Sequence, residues 1–417
     1  MDKCVEYRTF VSGVHSASHQ QPCHRRGSVQ RSLPIYSLRQ RPILQSIPPK
    51  PDEIEVSLFG PGFGESVVIH VGHGEWIVVD SCVEERNGDP KPLQYLCSLG
   101  VDPATAVTAV VATHWHDDHV AGLGNLLDAC RNAVLVCSVA LTTKEFLELA
   151  QLYEEAPGLI PPGPKEIQKA LRIAAERSHR LKRCMLCYAL ANRPIWRSAK
   201  AGAQAVALSP SDEMVRRSLQ RVARACEIAK KGNPILDRLE SGPNDVAAAI
   251  RIDVGGRSIL LGSDLEASTN PLVGWSAVLQ AAEARSSRSM LYKVAHHGAR
   301  SGHQDEVWHS LLTPSPLAFM SPFQLGGNRL PTRADRTRIL ERTDKAYITV
   351  DPDKRRPRPA KRAPKIETFI ASATLERSVA YGAVGHIRWR APVAVTSDPG
   401  AIDLFNEAMA LQDTVRA

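Results

Sequence analysis

The chain has no uninterrupted apolar run that approaches the ~20 residues needed to cross a bilayer. We therefore expect no transmembrane segment, although 43% of its 417 residues are hydrophobic. Residues 1–50 contain no apolar core, which predicts that a signal peptide is absent. The nine cysteines are dispersed, and an odd number without a secretion signal favours reduced thiols in the cytoplasm. We interpret the lone Cys-x-x-Cys pair, Cys184 and Cys187, as part of a buried helix face.

The net charge of +8 is concentrated in two segments. Residues 1–50 contain eight Lys or Arg against two acids, and residues 354–365 contain seven Lys or Arg and no acid. The rest of the chain is therefore mildly acidic. We interpret residues 1–50 as a basic, disordered leader. Residues 354–365 contain three prolines, which predicts an extended loop that either contacts a polyanion or is simply solvated.

Three histidines and two aspartates lie within residues 113–119, Thr-His-Trp-His-Asp-Asp-His. The preceding residues 107–112 are rich in β-branched side chains, which predicts a buried strand that ends at this cluster. Loops at the carboxyl ends of strands are where α/β folds place their chemistry. Imidazole and carboxylate are ligands of zinc, iron and manganese. The cluster therefore predicts a metal site rather than a polar surface loop.

Three further elements follow apolar runs elsewhere in the chain: Asp80, Asp264 and the pair His296-His297. Together with His-Trp-His-Asp-Asp-His, their order resembles the pattern of the metallo-β-lactamase-fold hydrolases, whose signature is His-x-His-x-Asp-His after a strand. The resemblance covers roughly residues 53–390. It implies an α/β fold, namely a four-layer αββα sandwich with a helical insertion, and a catalytic domain at residues 51–395.

The resemblance also implies roles for individual residues. Asp264 would bridge two cations, because one carboxylate can hold two ions about 3.5–4 Å apart; taken alone, it would be interpreted as a helix cap. Asp80 would orient a ligand histidine or the motif loop by hydrogen bonding. The implied metal ligands are His114, His116, Asp118, His119, Asp264 and His296. The implied catalytic residues are Asp118, Asp80 and His297.

His296 and His297 are adjacent, and successive side chains of a strand point to opposite faces. We therefore expect one of them to be a ligand, and we assign His296 to that role. His297 would then contact substrate or protein. Three residues near this ligand in sequence are candidates for binding an anionic substrate: Lys293, Arg300 and His303.

Many members of the family place another histidine between the motif and the bridging aspartate. His179 lies in a helical, strongly basic stretch and is interpreted as a surface residue. By position, Ser209 stands where that histidine would be, so the first metal site lacks one nitrogen ligand. The expected cofactor is one or two divalent ions, with zinc favoured and manganese as the alternative.

Several short segments are similar to the hydrolase-type domain of bacterial DNA-uptake channel proteins and its soluble relatives. They are Leu-Ser-Pro at 208–210, Pro-Asn-Asp at 243–245, Leu-Leu-Gly-Ser-Asp at 260–264 and residues 293–303. This resemblance implies a phosphodiester substrate, such as nucleic acid or a nucleotide. We therefore predict a hydrolase that uses a metal-bound hydroxide and has no membrane partner; the sequence does not indicate protein partners.

Two alternatives remain open. A carbonyl hydrolase, such as a lactonase, thioesterase or β-lactamase, would use the same metal core, although the missing histidine and the channel-type motifs count against it. A nucleic-acid-binding or regulatory module with weakened catalysis would keep the fold alone. The presence of Asp118, His119 and Asp264 counts against that second alternative.

Apolar patterning predicts the remaining organisation. A β-meander is expected over residues 53–60, 65–72 and 75–82. Helical spacing predicts an insertion over about 141–200 and a further helix from Ser211. Residues 396–417 are predicted to form a tail or helix. Later strands are expected at residues 246–254, 258–262, 292–295, 317–320, 346–350, 366–380 and 386–390.

Overall fold

The computed structural model describes residues 46–62, 64–84, 88–155, 163–230, 242–325, 328–354, 384–395 and 398–415. All of these described residues belong to one compact unit. The predicted leader up to residue 45, the basic loop from residue 355 and the predicted strand at 366–380 lie outside the described residues. Within the described ranges, no helix is long and apolar enough to cross a membrane.

The strands are rich in Val, Ile and Leu, which suits segments that are buried on both faces. Listed in chain order, they are β1 (Glu53–Gly60), β2 (Ser66–His70), β3 (Trp76–Val79), β4 (Val107–Ala112), β5 (Val134–Ser138), β6 (Leu186–Ala189), β7 (Arg193–Arg197), β8 (Gln204–Ala207), β9 (Ile250–Val254), β10 (Arg257–Leu261), β11 (Ser289–Lys293), β12 (Leu312–Met320), β13 (Phe323–Leu325), β14 (Asn328–Leu330), β15 (Ala346–Ile348), β16 (Gly385–Pro392), β17 (Ala401–Phe405) and β18 (Met409–Ala410).

The α-helices begin with recognisable signals. Asp102 caps one by accepting a hydrogen bond from Ala104 N, and Thr332 and Asp335 form a capping box at another. In chain order the helices are α1 (Lys91–Ser98), α2 (Pro103–Ala106), α3 (Asp117–Val120), α4 (Leu123–Ala129), α5 (Lys144–Glu155), α6 (Gly163–Leu181), α7 (Asp212–Lys230), α8 (Gly274–Gln280), α9 (Asp305–Ser310) and α10 (Arg333–Leu340). Short 3₁₀ segments lie at Val139–Thr142, Pro243–Val246, Glu283–Arg285, Ala295–Gly298, Arg300–Gly302 and Leu411–Thr414.

Most of the strands form two eight-stranded sheets. The first has the order β17-β16-β1-β2-β3-β4-β5-β6, and the second has the order β18-β15-β12-β11-β10-β9-β8-β7. A core that includes Leu58, Ile250 and Trp389 lies between them. Helices cover the outer faces: Phe146 of α5 belongs to the core of the first sheet, and Trp275 of α8 belongs to that of the second. The predicted four-layer αββα sandwich is thus confirmed.

The segment predicted as a helical insertion is only partly helical. It begins with α5 and α6, but it ends in the two strands β6 and β7, which are the last strands of the two sheets. The predicted helix face for Cys184 and Cys187 is therefore wrong: Cys187 lies in β6, and Cys184 is exposed. Pairing with β5 determines the conformation here, since a sheet edge supplies hydrogen bonds that local propensity does not anticipate.

The C-terminal residues also differ from the prediction of a tail or helix. β17 pairs with β16 in the first sheet, and β18 pairs with β15 in the second. The chain therefore passes from the first sheet to the second between β17 and β18, as it does between β6 and β7. These strands are two to five residues long, so they carry little periodicity of their own and depend on the edges that they extend.

Parallel pairing aligns the strand ends that carry the polar motifs. β3, β4, β5 and β6 are parallel neighbours in the first sheet. β10, β11, β12 and β15 are parallel neighbours in the second. Carboxyl ends of parallel strands meet at one edge of a sheet, so the residues that follow β3 and β4 share one edge, and those that follow β10 and β11 share another.

Arg177 of α6 provides a test of this packing. Its buried guanidinium donates to Leu127 O at 2.7 Å, Cys130 O at 3.0 Å and Asp128 O at 3.0 Å, which satisfies carbonyls at the end of α4. Arg177→Met should lower the free energy of unfolding by about 2–4 kcal/mol, because charge-assisted hydrogen bonds are lost. Urea denaturation measures this, and Arg180→Met at an exposed site on the same helix is the control. Equal unfolding curves for both variants would contradict the assigned role.

Candidate metal centre

The histidine motif begins where β4 ends. His114 lies two residues after the last residue of β4 and is fully buried, and His116 precedes α3, whose single turn carries Asp118 and His119. A turn of helix brings neighbouring residues back toward the strand end, so the motif folds onto itself. His114 Nε2 lies 3.0 Å from His116 Nδ1, and the two rings are 5.0 Å apart.

Asp80 connects this motif to the adjacent strand β3. Its two carboxylate oxygens accept hydrogen bonds from Thr113 N and Thr113 Oγ1, both at 2.8 Å. Its Oδ2 also lies 2.7 Å from His119 Nδ1. These contacts hold both the loop and the histidine ring, which is the geometry predicted for Asp80. Because Nδ1 is engaged with the carboxylate, His119 presents Nε2 to the interior of the site.

Asp264 lies between two groups of donor atoms. Its Oδ2 is 3.7 Å from His114 Nε2 and 3.5 Å from His297 Nε2, and its Oδ1 is 3.4 Å from His119 Nε2. The donor atoms of three sets each fall within 4.8 Å of one another. These sets are His114, His116 and Asp264; Asp118, His119 and His297; and Glu65, His119 and Asp264.

The structure reverses the order assigned to the adjacent histidines. His297 is buried, with Nε2 3.2 Å from Asp118 Oδ2, whereas His296 Nδ1 lies 2.9 Å from Ser301 Oγ and 3.4 Å from Glu266 Oε1. Side chains alternate between faces only within a strand, but β11 ends at Lys293 and both histidines have positive φ, at 49° and 53°. Left-handed residues turn the chain sharply, so alternation of faces does not apply.

The chemistry of these groups fits a divalent cation. Three of their atoms are buried and have no hydrogen-bond partner among the described residues: His119 Nε2, His297 Nε2 and Asp264 Oδ1. A buried polar atom without a partner costs about 1–3 kcal/mol, so such atoms are rare in stable proteins. Imidazole nitrogen and carboxylate oxygen are the donors that zinc and manganese accept.

Charges within the site shift the pKa values in opposite directions. Burial holds the pKa of His114 well below its ordinary value, so that ring is neutral. Burial also lowers the pKa values of His119 and His297. The carboxylate of Asp264 and its acidic neighbours outweigh this effect and raise both pKa values well above the usual range. The pKa of Asp264 is held well below its ordinary value against the opposing effect of burial, because His297 and His119 are close.

Ser209 does not contribute a donor to the first group in the way that a histidine would. Its buried hydroxyl donates to Ala247 O at 2.6 Å and accepts from Ala249 N at 2.8 Å, so it links the end of β8 to the start of β9. His179 is exposed near the end of α6. The set of His114, His116 and Asp264 therefore stays one nitrogen short, as the sequence indicates.

The three residues predicted to bind substrate have different environments. Lys293 is only 3% exposed and forms an ion pair with Glu65, so its ammonium is not presented to solvent; a contact with substrate stays a prediction. A lysine that ends a buried strand needs an acidic partner within the protein. Arg300 is exposed, and His303 Nε2 lies 3.0 Å from Asp305 Oδ1.

Glu65 is a further residue of the site, which the sequence patterns above do not predict. It lies in a glycine-rich turn between β1 and β2, and its carboxylate is buried beside His119 and His297. Two signals could have identified it. An acid follows Gly-Phe-Gly just before an apolar strand, and Lys293 ends another apolar strand without an acid nearby in sequence.

Residues 59–180 match the family model of the metallo-beta-lactamase superfamily. The matched segment contains Asp80 and the complete His-Trp-His-Asp-Asp-His motif. Among curated proteins, no sequence matches the chain.

Several solved structures show a distant likeness. The metallo-beta-lactamase fold protein YhfI from Bacillus subtilis is 14% identical, with a TM-score of 0.29 over 58% of this chain and 70% of that chain. Zn(2+)-bound PqqB from Methylobacterium extorquens is 12% identical, with a TM-score of 0.27 over 47% of this chain and 51% of that chain. Neither likeness bears on the substrate.

The site predicts that protons leave when a metal ion binds. Carboxylates keep His119 and His297 protonated in the ion-free protein, so an ion must displace a proton from each ring before Nε2 can act as a ligand. Zn²⁺ affinity of chelator-stripped protein should therefore rise as the pH increases above 6.5, the ordinary histidine value. Calorimetric titration in two buffers of different ionisation enthalpy measures the release, and identical heats in both would contradict it.

Proposed function

We propose that this protein is a metal-dependent hydrolase that acts on phosphodiesters. The observation that carries the proposal is the convergence of Asp118, His119, Asp264 and His297 in a buried space, where three donor atoms have no hydrogen-bond partner among the described residues. Such an arrangement is costly unless a cation completes it.

The residues of the site would have different roles in the reaction. The sets around His114 and His119 would hold one or two divalent ions, with Asp264 shared between them. When bound, such an ion lowers the pKa of a water molecule and stabilises negative charge on the reacting group. Asp80 keeps the His119 ring in place through Nδ1.

Asp118 is the acidic member of the cluster that reaches solvent. Its side chain is 22% exposed, whereas those of His119, Asp264 and His297 are at most 4% exposed. A proton taken from water must leave the site, and an oxygen at the boundary with solvent is suited to accept and release it. We therefore assign proton transfer to the Asp118 carboxylate.

A phosphodiester is the substrate class that the surroundings of the site favour. Arg300 is exposed just beyond the loop that carries His297, and Arg338 supports that loop by donating to Gly298 O at 2.8 Å. A cation beside the site would attract an anionic substrate. The short segments similar to the hydrolase-type domain of DNA-uptake channel proteins support the same class.

Asp264→Asn tests the hydrolytic role, because it keeps the side-chain volume and removes the shared negative charge. We expect turnover of a bis-aryl phosphodiester to fall at least about 100-fold, since even residues that only support a ligand alter activity 10–100-fold. Asp52→Asn, at an exposed position, is the matched control and should retain activity. Equal kcat/KM for the Asp264→Asn variant and the parent would refute the proposed metal centre.

A substrate panel separates the candidate activities. The parent protein is assayed with a bis-aryl phosphodiester, a lactone, a thioester and a β-lactam under the same metal conditions. The proposal expects the highest kcat/KM for the phosphodiester. Turnover of the carbonyl substrates alone would replace it with the carbonyl hydrolase, and turnover of none, with metal bound, would favour a binding or regulatory module.

A further inference from the structure

A buried ion pair lies directly beside the candidate metal centre. Lys293, the last residue of β11, is 3% exposed, and Glu65, just before β2, is 2% exposed. Lys293 Nζ contacts Glu65 Oε1. Neither charge could be buried alone without a large desolvation cost, so the two residues must be treated as a unit.

Lys293 is not the only residue that contacts the Glu65 carboxylate. Glu65 Oε1 also lies 3.7 Å from His119 Nε2, and Glu65 Oε2 lies 3.5 Å from His297 Nδ1. Oε2 is buried and has no hydrogen-bond partner among the described residues. Glu65, His119 and Asp264 each offer a donor atom within 4.8 Å of the others. The carboxylate is therefore positioned toward the same space as the predicted ligands.

The backbone around Glu65 fixes this position. Glu65 N donates to Asp118 O at 2.8 Å, and Ser66 Oγ donates to Asp80 O at 2.9 Å. Gly64 has a φ of +116°, and a Cβ there would lie 2.2 Å from Asp118 O. Only glycine permits such a close approach, so the turn packs directly against the histidine motif. The carboxylate is held by the same backbone that carries the motif.

Charge balance gives the pair a specific role. Glu65, Asp118 and Asp264 together contribute three negative charges when ionised. One divalent cation and the Lys293 ammonium together supply three positive charges. These charges balance those of the three carboxylates, which is the arrangement that a buried site favours. The Asp80 carboxylate is counted separately, because it is engaged by hydrogen bonds from Thr113 and by His119 Nδ1.

We propose that Glu65 is an additional carboxylate ligand of the ion shared by His119 and Asp264, and that Lys293 is its counter-ion. The inference rests on the metal centre of the proposed function. Glu65 would add an oxygen donor to the set that contains His119 and Asp264. The set around His114 would remain one nitrogen short. Because carboxylate oxygen suits manganese better than soft donors do, Glu65 shifts the preference of the centre from zinc toward manganese.

The test uses the full chain, stripped of metal and reloaded with Co²⁺ or Mn²⁺, in three variants: Glu65→Gln, Lys293→Met and the double variant. Mn²⁺ affinity is measured by competition with a chelator, and the visible spectrum of bound Co²⁺ reports the ligand set. Glu65→Gln should weaken Mn²⁺ binding at least about tenfold and change the Co²⁺ spectrum, because a ligand is lost and Lys293 remains as an uncompensated charge.

The double variant shows whether Glu65 is a ligand of the ion or only a counter-ion of Lys293. Removing both charges should restore thermal stability, but the Co²⁺ spectrum should stay altered, since the carboxylate donor is still missing. Full recovery of the parent spectrum and affinity would show that Glu65 only neutralises Lys293 and would overturn the proposal. An unchanged Co²⁺ spectrum in Glu65→Gln would overturn it as well.

Glu266→Gln is the matched control, because Glu266 Oε1 lies 3.4 Å from His296 Nδ1 but outside the donor sets. It should keep the parent spectrum. The readouts do not depend on turnover, so a parent that binds Co²⁺ and hydrolyses no phosphodiester would refute the proposed function alone. A parent that binds no divalent ion would refute both.

Discussion

The constraint that organises this structure is the gathering of four carboxylates, three of them buried, in one place. Asp80, Asp118, Asp264 and Glu65 lie within contact of the histidine cluster, and three of them are at most 4% exposed. Ionised groups of this kind are stable in a protein interior only when opposite charges surround them. The imidazoles, Lys293 and a divalent cation are the groups that can supply those charges, which is why they converge on the same space.

Both sheets contribute residues to this cluster. The first sheet supplies Asp80 and the His-Trp-His-Asp-Asp-His motif at the ends of β3 and β4, and the second supplies Asp264, Lys293 and His297 at the ends of β10 and β11. The donor sets combine residues from both sheets, so they form only when the sandwich is assembled. Metal binding at this site would therefore be coupled to folding, since an unfolded chain offers no preformed site.

Much of this arrangement could be predicted from local patterns. Strand periodicity located β1, β4 and β16, and the spacing of the histidine motif indicated the metal site, because both signals lie within a few residues of sequence. Interactions between distant residues could not be predicted in the same way. Glu65 joins the site through contacts with the distant residues Lys293, His119 and His297. His297 enters the site through a left-handed turn, and β17 and β18 depend on sheet edges that the sequence does not show.

The most direct test of the account is to locate a metal ion in crystals. Anomalous diffraction from crystals soaked in Zn²⁺ or Mn²⁺, recorded on both sides of the absorption edge of the metal, identifies the ion and its ligands. The account predicts a peak within coordination distance of Asp264 and of the Nε2 atoms of His119 and His297. Metal-soaked crystals that show no peak beside these atoms would contradict it.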